Sequence, residues 1–205
     1  MKAVLISAKP KWCKLIEEGK KKIEVRKTRP KINVPFKVLM YCTESNVHEC
    51  LMQNETGLSL IHCCNYKTAI PVGGQIANGK VIGEFMCDKI YKINNLGTRF
   101  LIDNDERLTN GVARASCLDY EDMKNYLGVK DGYAWNISNL VIYDKPKELN
   151  EFFFPSEKYC EKGLCGDCPK YEIPSYEYGE VEFDCEWKKP IKKAPQSWCY
   201  VEVAK

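Results

Sequence analysis

Apolar positions along this chain come in short runs broken by turns, and the period of each run predicts its element. Ala3-Val4-Leu5-Ile6 is an unbroken apolar run, so residues 2–7 are expected as a buried strand. Pro10 opens a helix, where its missing N–H costs nothing. Trp12, Leu15 and Ile16 recur at helical spacing over 10–18, and Gly19 closes the helix. Lys22-Ile23-Glu24-Val25-Arg26 alternates polar and apolar, which predicts a strand whose wet face carries Lys22, Glu24 and Arg26. Pro30 breaks that run, and 36–41 is the next strand. Asn78-Gly79 turns into a strand over 79–88, with Gly83 marking a bulge or a sharp bend. Asp119 caps a helix over 120–127 that ends at Gly128. Residues 133–143 form a strand interrupted at Asn136–Asn139, 146–153 a short helix, and 197–203 a closing strand.

Two stretches lack this order. Residues 43–78 are rich in Asn, Ser, Thr, Gly, Cys and His, and are expected to be an insertion holding a short helix or a hairpin. Residues 155–190 are cysteine-rich, aromatic and acidic, a second insertion. Strands spread from first to last residue, with no βαβ rhythm, predict one mainly-β α+β domain over 1–205. The expected form is a small β-barrel with two or three flanking helices.

Composition narrows the class. Hydrophobic residues are 44% of the chain, enough to build a core. No apolar run reaches the ~18 residues of a membrane span. The first apolar stretch is too short for a signal peptide, so a cytoplasmic location is expected, where thiols stay reduced. The net charge of +3 hides an asymmetry. Residues 1–37 hold 12 Lys/Arg against 3 Glu, and the rest holds 19 against 25 Asp/Glu. A basic first segment on an acidic remainder predicts one positive face, which attracts phosphates. The plain alternative is a solvated, lysine-rich helix and turn.

The twelve cysteines raise the question of metal. Cys160-x4-Cys165-x2-Cys168, then Cys185, has the residue types and turns of a tetrahedral zinc site. Few aliphatic residues lie in that segment, so a structural Zn²⁺ would explain how it folds. Plant-type iron–sulfur ligation, a redox Cys-x-x-Cys and ordinary thiols are the alternatives. A second group, Cys42, His48, Cys50, His62, Cys63 and Cys64, fits no standard metal spacing. Zinc-deaminase chemistry is excluded, because His48-Glu49-Cys50 is not His-x-Glu and Leu164 stands where Pro would precede Cys165. Tyr171, Tyr176, Tyr178, Phe183 and Trp187 are expected to pack the second insertion against the barrel, with stacking on bases as the alternative. Its acidic residues suit a protein partner better than a phosphate backbone, so an interaction or inhibitor module is a third class of reading.

The richest chemistry lies in Lys20-Lys21-Lys22-Ile23-Glu24-Val25-Arg26-Lys27. A carboxylate flanked by cations is held ionised and oriented. The cations can hold a phosphate, and Glu24 can accept from a base edge or move a proton. A surface ion pair of small energetic value is the alternative. The ordered set Pro10-x-Trp12, Ile16, Gly19-Lys20-Lys21 and Glu24-x-Arg26, with 79–85, Gly132–Ile137, Tyr143–Pro146 and Gln196–Trp198, resembles the ASCH family of PUA-like barrels. The resemblance spans about residues 1–42, 79–152 and 195–203 and leaves out both insertions. It implies a cleft for RNA, another nucleic acid or a nucleotide, bound by Trp12, Lys20, Lys21, Lys22, Glu24, Arg26, Lys27 and Glu84. It also implies a hydrolase alternative on RNA or a modified nucleoside, with Lys21, Glu24 and Arg26 as its catalytic set. Against the family's amidohydrolase branch, Glu24 stands where a threonine is expected, and Ser116-Cys117 where a glutamate is expected.

Overall fold

The computed structural model describes residues 2–44, 49–62, 74–155 and 189–203. Cys160, Cys165, Cys168, Cys185, His48, Cys63, Cys64 and the aromatics at 171–187 lie outside them.

The centre of the molecule is β1 (Lys2–Ala8). Its continuous apolar run follows from burial on both faces, since a strand wet on one side would alternate. It lies within a five-stranded sheet with β3 (Phe36–Cys42), β7 (Lys80–Cys87), β11 (Ser138–Lys147) and β12 (Trp198–Glu202), in the order β11-β7-β3-β1-β12. Only β1 and β3 run parallel. A parallel pair needs a crossover. Here the crossover carries α1 (Pro10–Glu17) and β2 (Ile23–Arg26), the segment with the richest chemistry. Val4, Ile6, Phe36, Val38 and Phe85 pack against Trp135 on one face. Ala3, Leu5, Leu39 and Val81 pack against Leu149, Phe152 and Ile191 on the other.

Trp135 belongs to the second sheet, ordered β2-β10-β8-β9, with β10 at Gly132–Asn136, β8 at Ile90–Asn95 and β9 at Phe100–Ile102. Its outer face is covered by α2 (Glu106–Ser116) and α3 (Tyr120–Leu127) through Ile23, Val25, Ile93, Val112, Met123 and Leu127. A third sheet, β5-β4-β6, holds the hairpin of β4 (Glu49–Asn54) and β5 (Gly57–His62), plus β6 (Gln75–Ile76). Leu51 and Leu58 of that hairpin pack beside Cys13 and Ile16 of α1.

The mainly-β α+β class expected from the sequence is the observed one. Among the described residues the ladders form these three sheets, and the five-stranded one ends at β11 and β12 without joining into a closed barrel. The interruption at Asn136–Asn139 is a corner, where the chain leaves β10 in one sheet and enters β11 in another, with Asn139 at φ 48°. Gly83 sits at a register shift between β3 and β7. A Cβ there would run into the Val141 carbonyl oxygen, with the Ile142 Cα at 3.1 Å, so only glycine lets β11 approach.

One expectation about the elements is corrected. The helix over 146–153 is one 3-10 turn, Leu149–Glu151, and Pro146 and Lys147 finish β11. The i, i+3 burial of Leu149 and Phe152 suits a single turn as well as a helix. The strands β8 and β9 and the helix α2 carry no sequence expectation at all. Asp105 caps α2, its Oδ1 accepting from the Arg107 and Leu108 amides at 2.7 and 3.2 Å.

Candidate functional site

The site begins where α1 ends. Gly19 takes φ 67°, its amide donates to the Ile16 carbonyl, and the Lys20 and Lys21 amides both reach the Leu15 carbonyl. This tight exit turns Lys21 inward, leaving it 2% exposed. Its Nζ donates to the Ser116 carbonyl at 2.7 Å and stands 5.1 Å from the centre of the Trp12 ring.

Then β2 begins, paired antiparallel with β10, with Glu24 opposite Trp135 and Arg26 opposite Tyr133. Ile23 and Val25 face the helices, so Glu24 and Arg26 face the other way. The sequence pattern makes that face wet, and here it is corrected: all four residues of β2 are buried. The cause is long-range. The segment ahead of β12 closes over the strand, and Arg26 ties it down. Arg26 Nη1 donates to the Ser197 carbonyl and Nη2 to the Ser7 carbonyl, both at 2.9 Å, so one guanidinium links β2, β1 and the entry to β12.

Glu24 lies between the two cations, with Oε1 2.8 Å from Arg26 Nη2 and Oε2 3.4 Å from Lys21 Nζ. The trio sets two basic side chains against one carboxyl group in a buried setting. Its cations are oriented by backbone carbonyls as well as by the carboxylate, which buried charge requires. The satisfaction is incomplete. Glu24 Oε2, Arg26 Nε and Ser197 Oγ are buried and make no hydrogen bond, Glu24 Oε2 being within ion-pair reach of Lys21 only.

The trio forms part of the wall of a cleft of about 910 Å³. Trp12 adds an aromatic side, and Asp122, Asn125 and Tyr126 of α3 stand at i, i+3 and i+4 on one helix face. Tyr41, Thr43 and Glu44 continue the wall. Burial, with Glu44 nearby, raises the Tyr41 phenol above its ordinary value, so it remains a neutral donor. Lys192, Lys193 and Gln196 contribute a strap anchored by the Ser7 hydroxyl, which donates to the Pro195 carbonyl at 2.6 Å.

Of the residues proposed from sequence, Trp12, Lys21, Glu24 and Arg26 meet in this cleft. Lys20 does not: its side chain is 65% exposed and paired with Glu18 at 2.8 Å. Lys22 is exposed and outside the lining. Lys27 is exposed, its Nζ 5.3 Å from the Tyr126 ring, at the margin. Glu84 sits on β7 between Lys37 Nζ at 2.5 Å and the Tyr143 hydroxyl at 2.8 Å, away from the cleft. Sequence reasoning missed the Ser116 carbonyl as the acceptor for Lys21, and missed Tyr126 and the strap. The Lys192-Lys193 pair just before the last strand was the available signal for the strap.

Among the described residues no group of three His, Cys, Asp or Glu side chains is placed to hold a metal ion. Within the second cysteine-histidine group, Cys42 and Cys50 are buried in the core and His62 is exposed. No helix among the described residues is long and apolar enough to cross a membrane.

No family model and no curated protein matches the chain. Among solved structures it is similar to the crystal structure of ASCH from Zymomonas mobilis, with a TM-score of 0.45 at 18% identity over 73% of this chain and 75% of that one. A point mutant of that protein gives a TM-score of 0.46 at 18% identity over 73% of this chain and 77% of that one.

Proposed function

We propose that this chain is an ASCH-type nucleic-acid-binding protein whose cleft receives an unpaired nucleotide of RNA. One observation carries the reading: the buried Lys21–Glu24–Arg26 trio is oriented beside a cleft of about 910 Å³. That is near the top of the ~300–1,000 Å³ range of small-ligand pockets. Such a space suits a nucleotide, and splayed-out single-stranded bases are the part of RNA that proteins read. Trp12 and Tyr126 offer aromatic sides for stacking, and Glu24 adds a carboxylate to the lining.

The test is a titration of labelled single-stranded RNA at two salt concentrations, following binding and strand length together, with Lys21→Ala as the variant. Binding that weakens with salt and falls with Lys21→Ala, in protein that circular dichroism shows folded, is the expected result. Absence of binding by the wild type at low salt overturns the reading.

The Glu24 carboxylate paired with Lys21 favours a second reading, a hydrolase on RNA or on a modified nucleoside. On RNA, Glu24 would take the proton of a 2′-hydroxyl as its oxygen bonds to phosphorus, the P–O5′ bond would break with the 5′-oxygen protonated from water, and Lys21 would stabilise the negative charge on the phosphorane oxygens. Shortened strands in the same titration support it, with Glu24→Gln abolishing the cleavage. For the cysteine-rich segment we propose a structural zinc on Cys160, Cys165, Cys168 and Cys185, supported by their spacing. Metal analysis of purified protein is expected to give one zinc per chain, lost on replacing Cys165 and Cys168 by serine.

A further inference from the structure

The cleft holds two kinds of cation, and they are not equivalent. Lys21 and Arg26 are 2% and 4% exposed. Their donors are largely committed to the Ser116, Ser197 and Ser7 carbonyls and to Glu24. Of the three Arg26 guanidinium nitrogens, Nε is the one without a hydrogen bond, and it is buried. A phosphate would have to displace these bonds to reach them, and it would stand next to the Glu24 carboxylate, a like charge. Lys9, Lys192 and Lys193 also line the cleft and are exposed, and none of their side chains makes an ion pair or hydrogen bond with a described residue; Lys192 and Lys193 stand side by side on one segment. Their backbone is held in place, because Ile191 is fully buried with its amide on the Phe152 carbonyl at 2.8 Å. The other end of the strap is fixed at Ser7 and Arg26. Two adjacent exposed ammonium groups on an anchored segment, unpaired among the described residues, are what a phosphate recruits.

We infer that the ligand enters base first, its phosphate held by Lys192 and Lys193 of the strap rather than by Lys21 and Arg26. The inference rests on the nucleotide reading above and assigns each end of the nucleotide to a set of residues. The buried trio then stands on the side of the uncharged base, away from the phosphate.

The experiment is a salt series on a short single-stranded RNA with the full chain. Three proteins are compared: wild type, Lys192→Ala/Lys193→Ala, and a control, Lys130→Ala/Lys145→Ala, whose lysines are exposed outside the cleft. For single strands each phosphate contact contributes about 0.7 to the slope of log affinity against log salt. The strap variant is expected to lower that slope by about 1.4, and the control to leave it unchanged. A strap variant with the wild-type slope, or an equal fall in the control, overturns the assignment while leaving RNA recognition standing. A wild type that binds no RNA at low salt overturns both.

Discussion

Lys21 and Lys193 line one cleft and carry one charge, yet they are different physical objects. The first is a structural cation, its ammonium fixed to a carbonyl and a carboxylate inside the protein. The second is a solvated cation on an anchored segment. Burial gives the floor precision at the cost of desolvation, while exposure leaves the rim free to meet a ligand at little cost to stability. Substitution therefore separates them: floor variants should act on folding, rim variants on binding.

The largest expected effect is at Arg26, whose guanidinium joins three strands and pairs with Glu24. Arg26→Ala leaves a buried carboxylate and two carbonyls short of donors, and is expected to cost about 3–5 kcal/mol in denaturant unfolding. A cost below about 1 kcal/mol would mean that the trio behaves as a surface pair. Glu24→Gln keeps the shape but removes the charge between two cations, for an expected loss of about 1–3 kcal/mol. Lys192→Ala/Lys193→Ala should change stability by no more than about 0.5 kcal/mol, as exposed positions do. A larger loss would make the strap lysines structural and erase the distinction.

Another small effect lies outside the cleft. Burial pushes the Glu84 carboxyl up, but bonds from Lys37 and Tyr143 outweigh it and hold the group below its ordinary value. A carboxyl lowered by folding stabilises above its unfolded pKa, and that stability is lost as pH falls through the folded value. Glu84→Gln should flatten the acid side of the stability profile by less than about 1 kcal/mol, since the pair is partly solvated. Denaturant midpoints of both proteins at about pH 7 and pH 3 check it.

How far the sequence revealed this depended on the range of the forces involved. The ends of α1 were legible because Pro10 and Gly19 act locally. Gly83 was legible because no side chain fits beside Val141. The trio was legible as a set of residue types, but its burial was not. Alternation in β2 says which side Glu24 and Arg26 take, while the strap that covers them arrives from residues 191–197. Helix α2 stayed hidden because Thr109, Asn110 and Gly111 are poor helix formers, and only Val112 and Ser116 are buried. With it went Ser116, the acceptor that fixes Lys21.

The most direct test of the central claim is the map of backbone amide shifts on titrating isotope-labelled protein with a short single-stranded RNA. The account expects changes to concentrate in four places: 7–12, 21–26, 118–126 and 192–197. Shifts confined to the 49–62 hairpin, or none at saturating RNA, would contradict it.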